Sequence, residues 1–294
     1  MEFDESSVVH SYADLGEVRL HYVEAGDGPL VILLHGFPEF WYSWHHQIPA
    51  LVAAGYRVVA PDMRGYNLSS KPKGVKAYRL ENLATDVAQL IDHCGEERAV
   101  VVGHDWGGAV AWMFAMMFPE KLDRLAILNM PHLHRFLMGL KTFRQLRKSW
   151  YIGFFQIPIL AESAFRSRNF ASIRKTFRTD PVRPGAFSED DIQRYIDALR
   201  RQGALKATIN YYRAAARRNP KELVSKMSPI DQPVLVIWGE KDRYLGLELA
   251  EPDSRWVRDL TMTIIPDASH WVQVDQPQLV NDSLLDFLAL KAAL

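Results

Sequence analysis

The stretch Val100–Gly108, VVVGHDWGG, decides the fold expected for this chain. Three β-branched valines predict a strand, and Gly103, Gly107 and Gly108 predict a sharp turn from that strand into a helix. Such a turn holds one side chain up at the end of the strand. Here that side chain is Asp105, a carboxylate where elbows of this kind commonly carry serine. The substitution indicates a different chemistry.

The composition is typical of a globular protein in a reducing compartment. With 294 residues, 48% of them apolar, the chain can bury a large core as one α/β domain or as a domain with an insert. Lys and Arg number 35 and so do Asp and Glu, so the overall charge does not favour nucleic-acid binding. Cys94 is the only cysteine, which excludes an internal disulfide. No apolar signal or membrane-spanning stretch is present in the sequence, so we expect a soluble, cytoplasmic protein without membrane insertion.

Strand-like patterns occupy both ends of the chain, and helical periodicity occupies the middle. The strand-like runs are VRLHYVEAG, LVILLHG, YRVVAPD, AVVVGHD, LAILNMP, PVLVIWGEKD and TMTIIPDASH. Interleaved with helical patterns, they predict an α/β fold with a mostly parallel central sheet covered by helices on both faces. Residues 1–131 and 226–294 would form the core domain, and residues 132–225 an inserted helical domain. The insert carries 19 Lys and Arg against 7 Asp and Glu, which we interpret as a solvated basic face.

Three strand ends carry residues that could act together. Asp105, Asp242 in WGEKD and His270 in DASH each follow a predicted strand, and parallel strands end at the same edge of a sheet. Their order along the chain, nucleophile, acid and then histidine, is that of the α/β-hydrolase triad. Glu240 competes with Asp242 for the position of the acid. The helical insert would fold over these residues as a cap.

An aspartate nucleophile predicts attack on a saturated carbon. Displacement of a leaving group by Asp105 gives an alkyl ester whose carbonyl belongs to the enzyme, and water activated by His270 can hydrolyse that carbonyl. A serine would give an ether with no carbonyl to attack. Asp242 would orient the imidazole and stabilise its protonated form. The backbone N–H groups of Phe37 and Trp106 are the expected oxyanion hole. This chemistry requires neither a metal nor an organic cofactor.

The leaving group distinguishes epoxides from alkyl halides. Opening an epoxide produces an alkoxide that needs an acidic O–H donor, whereas a halide needs only weak donors. Tyr151 and Tyr212, on separate helical stretches of the insert, are candidates for that donor. An apolar pocket around Asp105 would bind the substrate, and the residues expected to line it are Trp106, Phe37, Trp41, Phe155 and Trp271.

Taken together, several motifs resemble the soluble epoxide hydrolases of the α/β-hydrolase fold, which carry a helical cap. They are HGFPEFWYSW, PDMRGY, GHDWGG, SWYIGFFQ, NYYR, WGEKD and the His270 segment, and they span about residues 30 to 275. The resemblance implies that Asp105 is the nucleophile, that Asp242 and His270 are its partners, and that Tyr151 and Tyr212 hold the epoxide oxygen.

The same resemblance implies two further details, one about the tyrosines and one about a peptide bond. It places the functional tyrosine directly before an arginine, here Arg213, which selects Tyr212 over Tyr211. It also implies a cis bond between Phe37 and Pro38. The reaction would convert an apolar epoxide and water to a vicinal diol through an aspartyl ester, with no cofactor. The oligomeric state stays open, a homodimer included.

Three alternatives compete with this interpretation. In a haloalkane dehalogenase, Trp106 would hold the halide, but the second halide donor is commonly an asparagine where this chain has Phe37. A fluoroacetate dehalogenase would need an arginine after the nucleophile, where Trp106 stands. A binding module without catalysis is the third possibility, and the intact nucleophile, acid and histidine argue against it.

Overall fold

The structure of the protein, a computed structural model, describes residues 4–289. One sheet of eight strands runs through it in the order β1-β2-β4-β3-β5-β6-β7-β8. The strands are β1 Val9–Asp14, β2 Arg19–Ala25, β3 Leu30–Leu34, β4 Arg57–Pro61, β5 Ala99–His104, β6 Leu122–Leu128, β7 Val234–Gly239 and β8 Leu260–Ile265.

The part of the sheet that carries the strand ends is parallel. β3 pairs in parallel with β4 and β5, and the parallel pairing continues through β6, β7 and β8. Every residue of β3, β5 and β7 is buried, because helices cover both faces of these strands. The continuous apolar runs therefore predicted these strands correctly.

The first edge of the sheet is its antiparallel part. β1 and β2 pair antiparallel, and β2 also pairs antiparallel with β4, so the VRLHYVEAG strand is not parallel to its neighbours. A tight turn, in which Leu15 N–H donates to the Val18 carbonyl at 2.8 Å, reverses the chain between the two strands. The sequence pattern did not predict β1, because most of its residues are solvent-accessible at the sheet edge and lack a long apolar run.

Twelve helices accompany the sheet within residues 4–289. They are α1 Gln47–Ala53, α2 Leu80–His93, α3 Trp106–Met117, α4 Leu133–Gly139, α5 Phe143–Lys148, α6 Trp150–Phe155, α7 Leu160–Thr179, α8 Glu189–Arg200, α9 Ala204–Ala216, α10 Pro220–Ser225, α11 Val272–Asp275 and α12 Pro277–Ala289. Two apolar layers, one on each face of the sheet, form the core. Trp112 and Trp238 are buried in one layer, and Trp44 and Trp271 in the other.

The segment between β6 and β7 contains helices α4 to α10 and no strand. The helical pattern over residues 136–155 is divided among three short helices, since Thr142 caps the start of α5 and Ser149 lies between α5 and α6. Helix α7 is interrupted at Ser167–Phe170, where three residues have positive φ. No helix between residues 4 and 289 is long and apolar enough to cross a membrane.

Candidate active site

Asp105 lies at the sharp turn between β5 and α3, with φ 49° and ψ −118°. Two glycines make this turn sterically possible. A Cβ atom on Gly107 would stand 2.0 Å from the carbonyl oxygen of Leu34, and one on Gly103 would stand 2.5 Å from the carbonyl oxygen of Gly107. Helix α3 can therefore begin directly against the end of β3. The elbow predicted from VVVGHDWGG is present.

The two oxygens of the Asp105 carboxylate face different partners. Oδ1 accepts a hydrogen bond from the backbone N–H of Phe37 at 2.8 Å, and Oδ2 lies 3.4 Å from Nε2 of His270. The Phe37–Pro38 peptide bond is cis, as the sequence resemblance implied. Trp106 is the first residue of α3, so its N–H has no carbonyl partner within the helix. Oδ1 of Asp105 thus faces the backbone donor of Phe37, while Oδ2 faces the imidazole.

A buried acid holds the other side of the imidazole. Nδ1 of His270 lies 2.7 Å from Oδ2 of Asp242, which also accepts a hydrogen bond from Asn129 Nδ2 at 2.8 Å. The other oxygen of Asp242 accepts the backbone N–H groups of Tyr244 and Leu245 at 2.7 and 2.8 Å. With both oxygens satisfied, Asp242 has one orientation available.

Glu240, the alternative acid, is exposed and lies outside this network. It follows β7 directly, and the chain turns before Asp242, which is 4% exposed. The structure therefore brings Asp242, and not Glu240, to His270.

Burial and charge act in opposite directions on these three groups. Burial raises the pKa of Asp105, but the hydrogen bond and charge of His270 outweigh it and leave that pKa below its ordinary value. Asp242 shows the same balance, and its pKa is also lowered. Burial lowers the pKa of His270, but Asp242 and Asp105 together raise it to about 10. At neutral pH the resting site therefore holds an imidazolium between two carboxylates.

A second polar layer supports the histidine from behind, and the sequence patterns did not single it out. Nε2 of His104 donates to the backbone carbonyl of His270 at 2.8 Å, and its Nδ1 lies 2.9 Å from Glu39 Oε2. The same oxygen of Glu39 accepts the N–H of Gly36 at 3.0 Å. Glu39 thus connects the loop that carries Phe37 to the loop that carries His270. Its signal in the sequence is a lone charge within the aromatic run GFPEFWYSW.

Tyr212, on α9, and Tyr151, on α6, lie on the opposite side of the site. The Tyr212 ring packs edge-on against Trp106 at 4.9 Å and against Phe155 at 4.7 Å between centroids. The Tyr151 ring is 5.8 Å from that of Tyr212. Burial raises the pKa of both phenols well above its ordinary value. Both therefore keep their O–H at neutral pH.

Tyr211 and Arg213, the neighbours of Tyr212, have other contacts. The Tyr211 hydroxyl donates to the Arg64 carbonyl at 2.6 Å. Arg213 donates to the Phe155 carbonyl at 2.9 Å and pairs with Glu162 at 2.7 Å. These bonds fix α9 against the segment that carries Tyr151. The hydroxyl of Tyr211 is thus engaged by the backbone of Arg64, which leaves Tyr212 as the tyrosine of this pair that matches the prediction.

Two cavities meet at this site. Asp105, Tyr151 and Tyr212 line both of them. The smaller cavity, of about 150 Å³, is mostly apolar and includes Trp106 in its wall. The larger cavity, of about 540 Å³, has in its wall Phe37, Phe155, His270 and Trp271. The carboxylate and the two phenols therefore lie at the junction of the cavities. A bound molecule with two substituents could place one substituent in each cavity.

Trp41 is the one predicted pocket residue that the structure does not bring to either cavity. It begins a short 3₁₀ helix and is 3% exposed. Its ring packs edge-on against His10 and Phe40, and its backbone N–H donates to Asp62. The aromatic run that follows Phe37 turns into the core before Trp41 can face the site.

Among residues 4–289, no group of three or more His, Cys, Asp or Glu side chains is arranged to hold a metal ion. Cys94 is buried, and burial raises the pKa of its thiol to about 11. The side chains that line the two cavities include the Asp105 carboxylate, the His270 imidazole and the phenols of Tyr151 and Tyr212.

The model of the alpha/beta hydrolase fold family matches residues 29–277, and the chain belongs to this family of enzymes. It is 42% identical to the AB hydrolase superfamily protein YfhM of Bacillus subtilis, over 94% of this chain and 96% of that protein. It is 40% identical to Epoxide hydrolase 1 of Caenorhabditis elegans, over 94% of this chain and 69% of that protein. A crystal structure of Bacillus megaterium epoxide hydrolase with an inhibitor matches with a TM-score of 0.87, at 32% identity, over 95% of this chain and 99% of that one. The resemblance to epoxide hydrolases is confirmed.

Proposed function

We propose that this protein hydrolyses epoxides to vicinal diols through a covalent ester on Asp105. The observation that carries the proposal is the junction of the two cavities, where an ionised carboxylate stands opposite two protonated phenols. A nucleophile on one side of a bound ring and O–H donors on the other are the two requirements of epoxide opening. Relatives that are named epoxide hydrolases support the same reaction.

In the first step, Oδ2 of Asp105 attacks a ring carbon of the epoxide. Oδ1 stays with the Phe37 N–H, which is already 2.8 Å away. The carbon–oxygen bond of the ring breaks, and its electron pair goes to the epoxide oxygen. Tyr151 and Tyr212 hold that oxygen and one of them gives it a proton. The products of this step are the alkyl ester and a phenolate, and the His270 imidazolium returns a proton to the phenolate.

Ester formation itself prepares His270 for the second step. Esterified Asp105 carries no charge, so it no longer raises the pKa of the imidazole, while burial still lowers that pKa. The pKa of His270 is therefore lower in the ester than in the resting enzyme, which favours the neutral imidazole. Asp242 continues to orient it through Nδ1. The charge of Asp105 thus adds to that of Asp242 in raising the pKa of His270 before the ester forms, and this contribution is lost when a base is needed.

In the second step, His270 takes a proton from water, which attacks the Asp105 carbonyl carbon. The negative charge that develops on Oδ1 faces the N–H groups of Phe37 and Trp106, the proposed oxyanion hole. Collapse of this intermediate breaks the bond to the diol oxygen, which takes its proton from the His270 imidazolium as the diol leaves. The remaining proton of the water returns His270 to the imidazolium form. Asp105 is regenerated with one oxygen from solvent.

We also propose the division of labour between two domains, with residues 1–131 and 226–294 as the core and residues 132–225 as the cap. The ring contacts of Tyr212 with Phe37 and Trp106 support it, since they join α9 to the two loops of the core that hold Asp105. In this arrangement the core binds the electrophilic carbon and the cap binds the oxygen. Phe155 and Trp271 would provide apolar wall in the larger cavity.

A single turnover in heavy-oxygen water tests the ester mechanism. With enzyme in excess over styrene oxide, solvent oxygen should enter Asp105, and the first diol released should carry none of it. His270→Gln should accumulate an adduct with the mass of enzyme plus epoxide. Label in the first diol would contradict the mechanism.

Substrate class is tested separately, with 1-bromobutane and a fatty-acid epoxide beside styrene oxide. We expect diol from the epoxides and no halide, because Phe37 offers no side-chain donor that could join Trp106 in holding a halide. Halide release without diol would make the protein a dehalogenase with the same nucleophile.

A further inference from the structure

The exposed apolar side chains of this protein are concentrated on one part of the cap. Fourteen large hydrophobic side chains are exposed among the described residues, and half of them fall within residues 138–160. We call these seven the apolar cap surface: Met138, Phe143, Leu146, Trp150, Ile157, Ile159 and Leu160. The most exposed, Phe143 and Ile159, present 81% and 77% of their area to solvent. Such a concentration indicates a surface that meets a partner.

The spacing of these residues gives the surface a direction. Phe143 and Leu146 are three positions apart and share one face of α5, and Trp150 is the first residue of α6, which begins directly after Ser149. The Trp150 ring then lies 6.2 Å from that of Phe154, at the turn that leads to residues 157–160. The apolar side chains therefore follow the outside of consecutive short elements.

The same segment is positively charged. No Asp or Glu occurs between residues 124 and 161, whereas Lys141, Arg144, Arg147 and Lys148 lie among the apolar residues. Within residues 4–289, Arg147 makes no ion pair, and Lys148 donates only to backbone carbonyls. Arg144 has one exposed partner, Glu248 at 3.5 Å. The apolar side chains are thus interspersed with cations that are largely uncompensated.

We propose that the apolar cap surface docks on an anionic lipid bilayer, lying on it without spanning it. The interface of such a bilayer binds surfaces that combine tryptophan, phenylalanine and isoleucine with neighbouring Lys and Arg, because its anionic headgroups attract the cations. A second copy of this chain is a poorer occupant, because an isologous contact would bring the same cations face to face.

The apolar cap surface lies next to the larger cavity, so docking would bring that cavity close to the bilayer. Trp150 and Arg147 belong to this segment and also line the larger cavity, and both are exposed. The larger cavity therefore opens beside the apolar cap surface. An apolar epoxide dissolved in the bilayer would reach Asp105 through this cavity with little passage through water.

Flotation with lipid vesicles tests the docking, and its readout does not depend on the proposed reaction. The wild-type protein should float with vesicles of phosphatidylcholine and phosphatidylserine, and should float much less with phosphatidylcholine alone or in high salt. Phe143→Ser with Ile159→Ser should lower the partition coefficient at least about tenfold. The matched control, Val9→Ser with Leu279→Ser, removes exposed apolar side chains outside the cap and should bind like the wild type.

A charge variant separates the two contributions. Lys141→Glu with Arg144→Glu should abolish the preference for phosphatidylserine while leaving diol formation from a water-soluble epoxide unchanged. Trp150→Phe gives a second signal, since it should remove most of the quenching of wild-type tryptophan fluorescence by brominated lipids. Circular dichroism checks that each variant is folded.

Three results would overturn the proposal. One is equal binding of the wild type and of the Phe143→Ser, Ile159→Ser variant to the mixed vesicles. Another is absence of wild-type flotation with phosphatidylserine. The third is a wild-type dimer in sedimentation velocity that this variant dissociates, which would assign the surface to a second copy of the chain.

Discussion

The two sides of the site are held by different kinds of force. On the sheet side, Asp105, Asp242 and His270 are fixed by short hydrogen bonds to backbone or to buried side chains. On the helical side, Tyr151 and Tyr212 are positioned mainly by edge-on ring packing, at 4.7 to 5.9 Å between centroids. Hydrogen bonds are directional, whereas ring packing tolerates small shifts.

Because of this difference, we expect the two sides of the site to tolerate displacement of their side chains to different degrees. A displaced Asp105 would lose both the attack geometry and the oxyanion contacts, so the sheet side tolerates little change. A shift of α6 or α9 would change the shape of the two cavities while the acid, base and nucleophile kept their distances. We therefore expect changes on the sheet side to cost the reaction itself, and changes on the helical side to affect ring opening and substrate choice.

The largest effect should come from the nucleophile. Asp105→Ala removes the atom that bonds to the substrate, so diol formation should fall by about 10⁴-fold or more. Steady-state assays with styrene oxide measure it. Asp190→Ala, at an exposed carboxylate of α8, is the control and should keep wild-type turnover. Turnover of Asp105→Ala within about tenfold of wild type would show that the sheet side does not provide the nucleophile.

The next effect tests the helical side. Tyr151→Phe combined with Tyr212→Phe removes both O–H donors while keeping the rings, so epoxide opening should slow by about 10²- to 10⁴-fold. Each single change should cost less, because the other phenol can still hold the oxygen. Rapid mixing followed by mass spectrometry should find that the ester no longer forms at a detectable rate.

Tyr195→Phe is the matched control for these phenols. Tyr195 is buried in α8, and its hydroxyl is without a hydrogen-bond partner in the described structure. Its loss should leave turnover unchanged. Equal turnover of the double variant and Tyr195→Phe would remove the phenols from the mechanism.

The same division explains what could be predicted from the sequence. Asp105, Asp242 and His270 follow strands whose apolar runs are easily recognised, and parallel strands bring their ends together whatever the loops do. Tyr212 could be selected only through the resemblance of this chain to a known family, because an amphipathic ring in a helix has no distinctive local pattern. Trp41 lies only four residues after Phe37, yet a single 3₁₀ turn directs it into the core. Glu39 and Asn129 were missed because a buried polar partner has no periodicity.

Asn129 provides a smaller and more specific test of the sheet side. Asn129→Ala removes the side chain that donates to Asp242 at 2.8 Å and accepts the Gly239 N–H at 2.9 Å. Asp242 would keep its two backbone donors, so we expect kcat to fall by about tenfold to a hundredfold with little change in ester formation. Ester should accumulate in burst experiments. A slower burst instead of a slower release would mean that Asn129 acts on the first step.

The smallest effect, when it is measured per pH unit, concerns stability and follows from the charge of His270. The pKa of this ring is raised from its ordinary 6.5 to about 10 in the folded protein, so between these values the folded state binds a proton that the unfolded state releases. The stabilisation is complete below pH 6.5 and is lost as the pH rises toward 10, by at most about 1.4 kcal/mol per pH unit. Urea unfolding at several pH values in this window measures the slope, and His270→Gln should reduce it. If the wild type and the variant lost stability in parallel, the imidazolium would not be held between the two carboxylates, and the sheet side would be less tightly organised than its hydrogen bonds indicate.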